Sequence, residues 1–450
     1  MRLAIIGGDA GGMSAASVAR RRDPSLEIVA FERGPHTSYS ACGIPYLVGG
    51  VVEDADRLIS RSADQHRANG IDVRTGCEVI AIDLAARMLT VRAHDAESVE
   101  PFDQLVVATG AEAALPPVPG AQAIEPARTV DAGVRLRTAL ERGGRCAVVI
   151  GAGYIGLEMA EALVARGLSV TMIEAAPQVM STLDADMAAH VQDAAECHGI
   201  RVVLDCAVEE VVTDSDGAPV AVRTADASYA ADHVVIGTGA KPAVELAAQA
   251  GLQVGDSGAL RVDDRQRCPG HDGVFAAGDC AESHHRLLDR EVNIQLGTHA
   301  NKQGRIAGTN ATGGDLRFPG VIGTAVSKIC RYEVARTGLS EREAEQAEIA
   351  VVSATIEDRT RAGYYPGAGP IWVKLVAEPG SGRLLGGQIV GVEGAAKRID
   401  VLATAIWTQL AVDELALLDL SYAPPFSGVY DPLLIAARET AKRVQTGARP

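Results

Sequence analysis

Two glycine-rich turns, each between an apolar strand and a helix, constrain the fold of this chain more than any other feature. The turn Gly151-Ala152-Gly153-Tyr154-Ile155-Gly156 is a complete G-x-G-x-x-G pattern after a predicted strand. Such glycines allow a tight turn and bring backbone N–H groups at a helix start close to a pyrophosphate. Residues 7–12 form a similar turn before a helix predicted over 13–22. The pattern predicts two dinucleotide-binding units, with turns required only for packing as the alternative.

Each unit has an acidic residue at the end of its second strand. Glu32 and Glu174 occupy the position where a carboxylate accepts a hydrogen bond from a ribose hydroxyl. Glu174 would repel a 2′-phosphate, and residues 175–183 contain no Lys or Arg. The second unit is therefore predicted to prefer NADH, with NADPH left open.

The first turn departs from the fingerprint at one position. It has glycine at positions 7, 8, 11 and 12, but Asp9 replaces the second glycine of the pattern. Asp279, which follows Gly278 after another apolar strand, gives a second indication of a cofactor site. Its carboxylate could hold a ribityl hydroxyl, and a helix N-cap is the alternative.

The spacing of these units predicts a nested organisation in an α/β fold. Strands that end in Thr-Gly, at 105–110 and 233–239, come well after the start of each unit, and a proline-rich linker covers 115–120. We therefore predict one Rossmann-like domain from 1–115 and 242–318, with a second Rossmann-like domain, 116–241, inserted into it. Residues 319–450 change to alternating strands followed by helices, which predicts an α+β third domain.

Charge and cysteine pattern exclude several classes of function. Basic residues number 42 and acidic residues 58, a net charge of −16 that repels phosphate backbones, so we expect no nucleic-acid partner. The eight cysteines lack the spacing of a disulfide framework or a zinc site, which indicates a reduced, cytoplasmic protein without a metal. No apolar run reaches the roughly 18 residues that span a bilayer, so no membrane association is expected.

Six segments of the chain resemble one group of enzymes. They are IIGGDAGGMSAA (5–16), SYSACGIPY (38–46), GAGYIGLE (151–158), FAAGD (275–279), LGTHANK (296–302) and YAPPF (422–426). In these segments the chain is similar to the single-cysteine pyridine nucleotide-disulfide oxidoreductases, in the branch of CoA-disulfide reductases and NADH oxidases. The resemblance implies FAD on the first unit and NAD(P)H on the inserted unit. It also implies a C-terminal dimerisation domain and a homodimer with shared active sites.

Motifs and resemblance together give a set of predicted cofactor contacts. They are Gly7, Gly8, Gly11, Gly12, Glu32, Arg33, Val79, Thr109, Gly110, Gly151, Gly153, Tyr154, Ile155, Gly156, Glu174, Gly239, Gly278, Asp279 and Ala300.

Cys42 is the predicted redox centre. It lies in a turn before an expected helix, and a helix N-terminus lowers a thiol pKa. Residues 43–47 contain no second cysteine, so a disulfide between neighbouring cysteines is excluded. The thiolate would cycle through a mixed disulfide, a persulfide or a sulfenic acid. The resemblance implies that Cys42 lies against the flavin, and an inert buried cysteine is the alternative.

Other positions bear on the chemistry at Cys42. Peroxidase and oxidase relatives carry a histidine in the first glycine-rich loop, whereas this chain has Ala10, as CoA-disulfide reductases do. Since residues 319–450 contain no histidine, the resemblance points to Tyr422 and Tyr364 as proton donors from the partner subunit. Tyr365 is an equal candidate on the opposite face of an expected strand. Packing at an interface is the alternative role for each tyrosine.

The resemblance also names residues for the sulfur substrate. They are Ser14, Arg21, Ser38 and His299. Arg21 belongs to the basic run 20–22, which would meet a phosphate or else balance the helix dipole. For His299, a plain core or surface histidine is the alternative.

Several positions depart from the CoA pattern. Val18, Ala41 and Tyr430 replace polar or charged residues, and a lysine near Asn69 is absent. The sequence therefore predicts an FAD-dependent NAD(P)H oxidoreductase that reduces a low-molecular-weight disulfide or persulfide, with CoA as one candidate thiol. The alternatives are an NADH oxidase that reduces O2 through a cysteine sulfenic acid, and a flavoprotein redox sensor with little turnover.

Overall fold

The computed structural model of the chain describes residues 1–94 and 96–447. Its first part contains β1 (Arg2–Ile6), α1 (Ala10–Arg22), β2 (Glu27–Glu32), α2 (Ile44–Gly49), α3 (Ala63–Ala68), β3 (Asp72–Thr75), β4 (Cys77–Asp83), β5 (Met88–Ala93), β6 (Ala96–Pro101), β7 (Gln104–Val107) and β8 (Ala111–Ala113). Short 3-10 turns cover Ala41–Gly43 and Ala55–Leu58.

The middle of the chain repeats the same kind of unit. It contains α4 (Val130–Glu141), β9 (Cys146–Ile150), α5 (Tyr154–Ala165), β10 (Ser169–Ile173), α6 (Ala185–Cys197), β11 (Ile200–Val203), β12 (Val208–Thr213), β13 (Pro219–Thr224), β14 (Ser228–Ala230), β15 (His233–Ile236) and β16 (Ala240–Pro242). A 3-10 turn, Ala121–Ala123, precedes α4.

The chain then returns to the first unit through α7 (Glu245–Gln249), β17 (Val274–Ala276), β18 (Ser283–His285), β19 (Arg290–Val292) and α8 (Gly297–Ala311). Strand β17 pairs parallel with β7, which gives a sheet of order β17–β7–β1–β2–β3. The second unit has its own parallel sheet of order β11–β10–β9–β15. The apolar strands of both sheets are buried, as parallel sheets covered by helices require.

A two-stranded neck joins the two units. Strand β8, where the chain leaves the first unit, pairs antiparallel with β16, where the chain comes back. The predicted boundaries of the inserted domain, 116 and 241, fall close to this neck. They stay a prediction.

The third part of the chain forms an antiparallel sheet covered by helices. Its elements are β20 (Ala325–Ile329), β21 (Tyr332–Gly338), α9 (Glu341–Gln346), β22 (Val352–Arg359), β23 (Pro370–Ala377), β24 (Leu384–Gly391), α10 (Ile399–Trp407), α11 (Val412–Leu415) and α12 (Pro432–Thr446). The sheet order is β20–β21–β24–β23–β22. The structure thus confirms the predicted fold class, with two nested dinucleotide-binding units and an α+β C-terminal domain.

An ion cluster around the buried Lys374 links the inserted unit to the C-terminal domain. Lys374 Nζ on β23 lies 2.9 Å from Asp186 Oδ1 and 3.3 Å from Asp184 Oδ2 at the start of α6. It also lies 2.8 Å from Glu341 Oε2. Because one ammonium group pairs with carboxylates from both domains, the cluster links them at this point.

Two local predictions differ from the structure. Helix α1 begins at Ala10 rather than at Met13, so the glycines at 11 and 12 already belong to its first turn. Tyr364 and Tyr365 lie in a turn rather than in a strand, because β22 ends at Arg359 and β23 begins at Pro370.

Within the described ranges, no helix combines the length and the apolar character needed to cross a bilayer.

Candidate active site

A cavity of about 1570 Å3 lies where the two dinucleotide-binding units face each other. Predicted site residues from distant parts of the chain line it together. They are Gly11, Ser14, Arg21, Ser38, Cys42, Gly110, Gly151, Gly153, Tyr154, Ile155, Glu174, Gly239, Gly278, Asp279 and Ala300. The carboxyl ends of two parallel sheets thus share one cavity with the candidate redox cysteine.

The two glycine-rich turns have the same backbone geometry. Gly7 and Gly151 adopt φ angles of +106° and +99°, which favour glycine. A Cβ at Gly12 would lie 2.0 Å from Gly7 O, and a Cβ at Gly156 would lie 2.0 Å from Gly151 O. These four glycines are therefore required by the turn itself, and they hold each helix close to its preceding strand.

The acidic residues Glu32 and Glu174 are also held in the same way. Glu32 accepts hydrogen bonds from Gly8 N at 2.8 Å and Gly34 N at 2.7 Å. Glu174 accepts them from Ala152 N at 2.6 Å and from the N–H two residues after it at 2.9 Å. Each carboxylate oxygen keeps a free lone pair, so both residues can still accept a ribose hydroxyl.

Gly153 indicates space reserved for a phosphate. Its φ of −77° is accessible to any residue, and a Cβ there would meet no atom within 4 Å. Neither strain nor packing therefore requires glycine at this position. A dinucleotide phosphate close to the start of α5 would require it, so this turn fits a nicotinamide dinucleotide.

The first unit fits a larger cofactor that brings hydroxyl groups to Asp279. Burial raises the pKa of this carboxyl, and nearby Arg128 partly offsets the increase. Hydroxyl donors would relieve such a carboxylate, as the ribityl chain of FAD provides. A Cβ at Gly110 would also meet open space. The residues present are therefore compatible with FAD in this unit.

Asp9 adds a second acidic group to the same wall of the cavity. Burial and the neighbouring charge of Glu32 raise its pKa to about 6. The sequence identified Asp9 only as a departure from the glycine pattern. In the structure it lines the cavity and directly precedes α1 at the N-cap position, but its side chain does not cap that helix.

Cys42 lies in the 3-10 turn Ala41–Gly43, just before the six-residue helix α2. Its side chain is exposed in the single chain. The expectation of a lowered thiol pKa is wrong for this structure. Partial enclosure by the cavity wall, followed by the negative charge of Glu158, raises the pKa of Cys42. The short helix does not outweigh these effects.

Glu158 is a functional candidate that the sequence reasoning missed. It projects from α5 into the cavity and accepts a hydrogen bond from Ser327 Oγ at 2.6 Å. Burial raises its pKa. Its place in the matched segment 151–158 was the only signal available. In the structure its negative charge contributes to the raised pKa of Cys42.

The predicted substrate residues separate into two groups. Ser14, Arg21 and Ser38 line the cavity, and Ser14 Oγ donates to Asn301 Oδ1 at 2.7 Å. His299 does not line it. That imidazole is buried, with Nδ1 3.3 Å from Ile294 O, and burial lowers its pKa.

Other predicted cofactor contacts lie behind the cavity wall or at its edge. Val79 is a buried core residue of β4 itself, and Thr109 Oγ1 donates to Ala243 O at 2.6 Å. Arg33 is exposed and lies 3.8 Å from Glu112. Their contacts with a cofactor stay predictions, as do the roles of the cavity-lining residues.

The candidate tyrosines lie on the C-terminal domain and do not line the cavity of their own chain. Tyr364 is 78% exposed, Tyr422 48% and Tyr365 38%. Ala362 N donates to Pro424 O at 3.2 Å, so the two tyrosine-bearing loops lie side by side. All three tyrosines are therefore exposed in the single chain, on neighbouring loops outside its cavity.

Similar proteins were found for the whole length of the chain. An NAD(P)H sulfur oxidoreductase (CoA-dependent) of Pyrococcus abyssi is 36% identical over 96% of this chain and 97% of that protein. An NADH oxidase of Methanocaldococcus jannaschii is 36% identical over 99% of both. The solved structure of an NAD-dependent persulfide reductase from A. fulgidus has a TM-score of 0.96 and 38% identity, covering 99% of this chain and 84% of that one.

The sequence profile described as pyridine nucleotide-disulphide oxidoreductase matches residues 1–304. The profile of the dimerisation domain of these enzymes matches residues 324–433. These matches agree with the duplicated glycine turns and with the cavity between the two units. The chain therefore belongs to the pyridine nucleotide-disulphide oxidoreductase family.

Proposed function

We propose that this oxidoreductase uses FAD and NAD(P)H to reduce a low-molecular-weight disulfide or persulfide through Cys42. The observation that carries the proposal is that Cys42 lines the same cavity as the glycine turns of both nucleotide units. The names of the relatives, a sulfur oxidoreductase and a persulfide reductase, support the same substrate class.

FAD, which the first glycine-rich turn and Asp279 would hold, would supply the transfer of two electrons from the nicotinamide to an oxidised Cys42. The residues of the chain supply the remaining steps. The Cys42 thiolate attacks one sulfur of RSSR, forming a mixed disulfide and releasing RS⁻, which takes a proton. Two electrons then cleave the mixed disulfide, releasing a second thiol and restoring the thiolate. The balance is RSSR + NADH + H⁺ → 2 RSH + NAD⁺; a persulfide RSSH gives RSH and hydrogen sulfide instead.

Protonation of the leaving thiolate is assigned to Tyr422 and Tyr364 of the partner subunit. Their exposure on one surface of a dimerisation domain supports a homodimer in which each cavity is completed by the other chain. Tyr365 is the less exposed alternative to Tyr364. The proposed compartment is the cytoplasm, since all eight cysteines are free and a reducing environment keeps them so.

NADH is proposed as the preferred reductant. The Glu174 carboxylate is fixed by two backbone N–H groups, so its negative charge stays at the position that a 2′-phosphate would occupy. CoA is proposed as one candidate thiol, because Arg21 and Arg61 line the cavity and could bind its phosphates.

An anaerobic titration tests the proposal. The purified holoenzyme is reduced with NADH while flavin absorbance and a thiolate–flavin charge-transfer band are recorded. CoA disulfide, a glutathione persulfide and O2 are then added separately. We expect a sulfur compound to reoxidise the enzyme much faster than O2. Fast reoxidation by O2 alone would instead identify an NADH oxidase, as in the M. jannaschii relative. Failure of NADH to bleach the flavin would favour a redox sensor.

A further inference from the structure

The side chain of Arg398 joins the two loops that carry the candidate tyrosines. Arg398 lies at the N-cap position of α10. Its Nη2 donates to Thr360 O at 2.9 Å and to Phe426 O at 2.7 Å. Thr360 belongs to the loop between β22 and β23, which contains Tyr364, and Phe426 to the loop between α11 and α12, which contains Tyr422. One nitrogen atom therefore holds the backbones of both loops.

The other nitrogens of this guanidinium fix its direction. Nε lies 2.9 Å from Asp431 Oδ2, and Nη1 donates to Gly394 O. The side chains of Arg398 and Asp431 are each 11% exposed, so the two charges are largely shielded from water. Each nitrogen of the group has an acceptor in a different direction. A guanidinium can meet this pattern, whereas the single ammonium of a lysine cannot.

Asp431 extends the connection to the last helix. Its Oδ1 accepts from Leu433 N at 2.9 Å and so caps α12. Its Oδ2, which pairs with Arg398, also accepts from Ser427 Oγ at 3.1 Å. The ion pair thus attaches the end of the Tyr422 loop to the first turn of a helix.

The turn that precedes Arg398 is anchored to the central sheet of the domain. Glu333 on β21 accepts hydrogen bonds from Gly394 N at 3.1 Å and from Ala396 N at 2.8 Å. The guanidinium therefore projects from a fixed backbone towards the two loops.

The loops have little else that would hold the tyrosines in one place. Within residues 1–94 and 96–447, one backbone hydrogen bond joins them directly, from Ala362 N to Pro424 O at 3.2 Å. Tyr364 is 78% and Tyr422 48% exposed, so packing inside the chain restrains their rings only in part. Because ordering each loop residue costs conformational entropy, long loops need such anchors to keep one conformation.

We propose that Arg398, paired with Asp431, is a positioning residue that holds Tyr364 and Tyr422 in the arrangement that serves the leaving thiolate across the dimer. Arg398 itself lies outside the cavity of its own chain. It acts through the two loops and transfers no proton. The inference rests on the proposed function and deepens it by naming the group that organises the proposed proton donors.

The test follows the two half-reactions of the holoenzyme separately by anaerobic stopped-flow absorbance. NADH bleaches the flavin in the first, and CoA disulfide reoxidises the enzyme in the second. Arg398→Lys keeps the charge that pairs with Asp431 but loses the link to both loops. We expect it to slow reoxidation about 10-fold, a part of the roughly 10²- to 10⁴-fold that a positioned proton donor contributes. Bleaching of the flavin by NADH should not change.

A mutant cycle separates positioning from general destabilisation. The double variant Tyr364→Phe/Tyr422→Phe should be slowed at least as much as Arg398→Lys. Adding Arg398→Lys to it should slow reoxidation further by less than about 2-fold, because residues that act as one unit are not additive.

Two more variants complete the test. Asp431→Asn keeps a helix cap but removes the charge, and it should slow reoxidation in the same way. It carries the test if Arg398→Lys does not fold. Arg336→Lys is the matched control. Arg336 is a buried guanidinium of the same domain that donates to Thr182 O and Gly338 O, both at 2.6 Å, and contacts neither loop through these bonds. Its reoxidation rate should match that of the wild type.

Unchanged reoxidation in Arg398→Lys and Asp431→Asn would overturn the inference. A full additional loss in the triple variant, or equal slowing in Arg336→Lys, would also overturn it. Each of these results leaves the proposed function intact, since that function fails only if Cys42→Ser retains disulfide reduction.

If CoA disulfide does not reoxidise the wild type, the same variants are compared by the pKa at which the thiolate–flavin charge-transfer band appears. Phenols that donate to the Cys42 thiolate lower this pKa, so Arg398→Lys should raise it as much as Tyr364→Phe/Tyr422→Phe does. Equal pKa values in Arg398→Lys and the wild type would overturn the inference.

Discussion

Ser327 donates a hydrogen bond of 2.6 Å to Glu158, so the C-terminal domain holds a half-buried carboxyl group in the cavity that contains Cys42. Glu158 is the largest charged contributor to the raised pKa of Cys42. The domain interface thereby influences the fraction of thiolate in the cavity.

Replacing Glu158 by Gln should lower the pKa of Cys42, because a negative charge that opposes thiolate formation is removed. The measurement is the pH dependence of Cys42 alkylation by iodoacetamide, followed by mass spectrometry. Glu161→Gln is a matched control on the same helix, since that carboxylate accepts from Cys330 N at 2.7 Å instead. Equal midpoints for Glu158→Gln and the wild type would contradict the prediction.

Replacing Cys42 by Ser should abolish disulfide reduction, by on the order of 10³-fold or more, because a hydroxyl cannot form the mixed disulfide. Bleaching of the flavin by NADH should persist, which stopped-flow absorbance can establish. Cys206→Ser is the control, because Cys206 lines the same cavity but lies at the end next to Glu174. The idea fails if Cys206→Ser loses disulfide turnover and Cys42→Ser retains it.

Replacing Gly153 by Val should leave the fold intact and raise the KM for NADH roughly 10-fold or more, a loss of about 1.4 kcal/mol in binding. The side chain would enter space that no protein atom occupies within 4 Å of its Cβ. Steady-state kinetics and the melting temperature measure the two effects. By contrast, Gly156→Ala should destabilise the protein by about 1–3 kcal/mol through overpacking against Gly151 O. A normal KM in Gly153→Val would place the phosphate elsewhere.

Replacing Asp9 by Asn should stabilise the protein above pH 6. Burial raises the pKa of Asp9 from 3.8 to about 6, so the folded state holds this proton more tightly than the unfolded chain does. The wild type therefore loses stability as pH rises from about 4 to 6. The free energy of unfolding that ionisation of Asp9 removes is at most roughly 2–3 kcal/mol. Tm is measured from pH 5 to 8 with saturating FAD. Asp23→Asn is the control, because its exposed carboxyl has a lowered pKa. A gain for Asp9→Asn that does not grow with pH would contradict this account.

Replacing Lys374 by Met should cost about 3–5 kcal/mol of stability, because the carboxylates of Asp184, Asp186 and Glu341 would lose their buried cation. Urea unfolding measures the effect. Lys442→Met provides the comparison, since its pair with Glu439 is exposed and should contribute about 0–1 kcal/mol. Similar losses in the two variants would mean that the interdomain cluster is solvated.

Local backbone rules explain why the fold was predictable. Gly7 and Gly151 adopt a positive φ, and Gly12 and Gly156 have no room for a Cβ. The glycines of the sequence pattern are therefore the ones that the turn geometry requires. Each motif also carries its strand, helix and acidic residue within one short segment. The identities of the cofactors and the position of Cys42 against the flavin were expected only from the resemblance to a known family.

Long-range contacts explain what the sequence could not provide. Arg398 and Asp431 are 33 residues apart, and Glu158 and Ser327 are 169 residues apart. No local pattern links either pair. The direction of the Cys42 pKa shift was predicted wrongly for the same reason. The helix after it could be expected from the sequence, but the carboxylates of Glu158, Asp279 and Asp9 are assembled by folding.

The antiparallel neck of β8 and β16 has a consequence for how the chain folds. Strands β7 and β17 are neighbours in one sheet, yet the whole inserted unit separates them. Because the insertion begins and ends at paired residues, its prior folding would bring the two distant strands together as a hairpin loop does. Folding of the inserted unit, which has a core of its own, then offsets the entropic cost of closing so long a connection. This favours folding of the inserted unit before strands β7 and β17 pair in the sheet of the first unit.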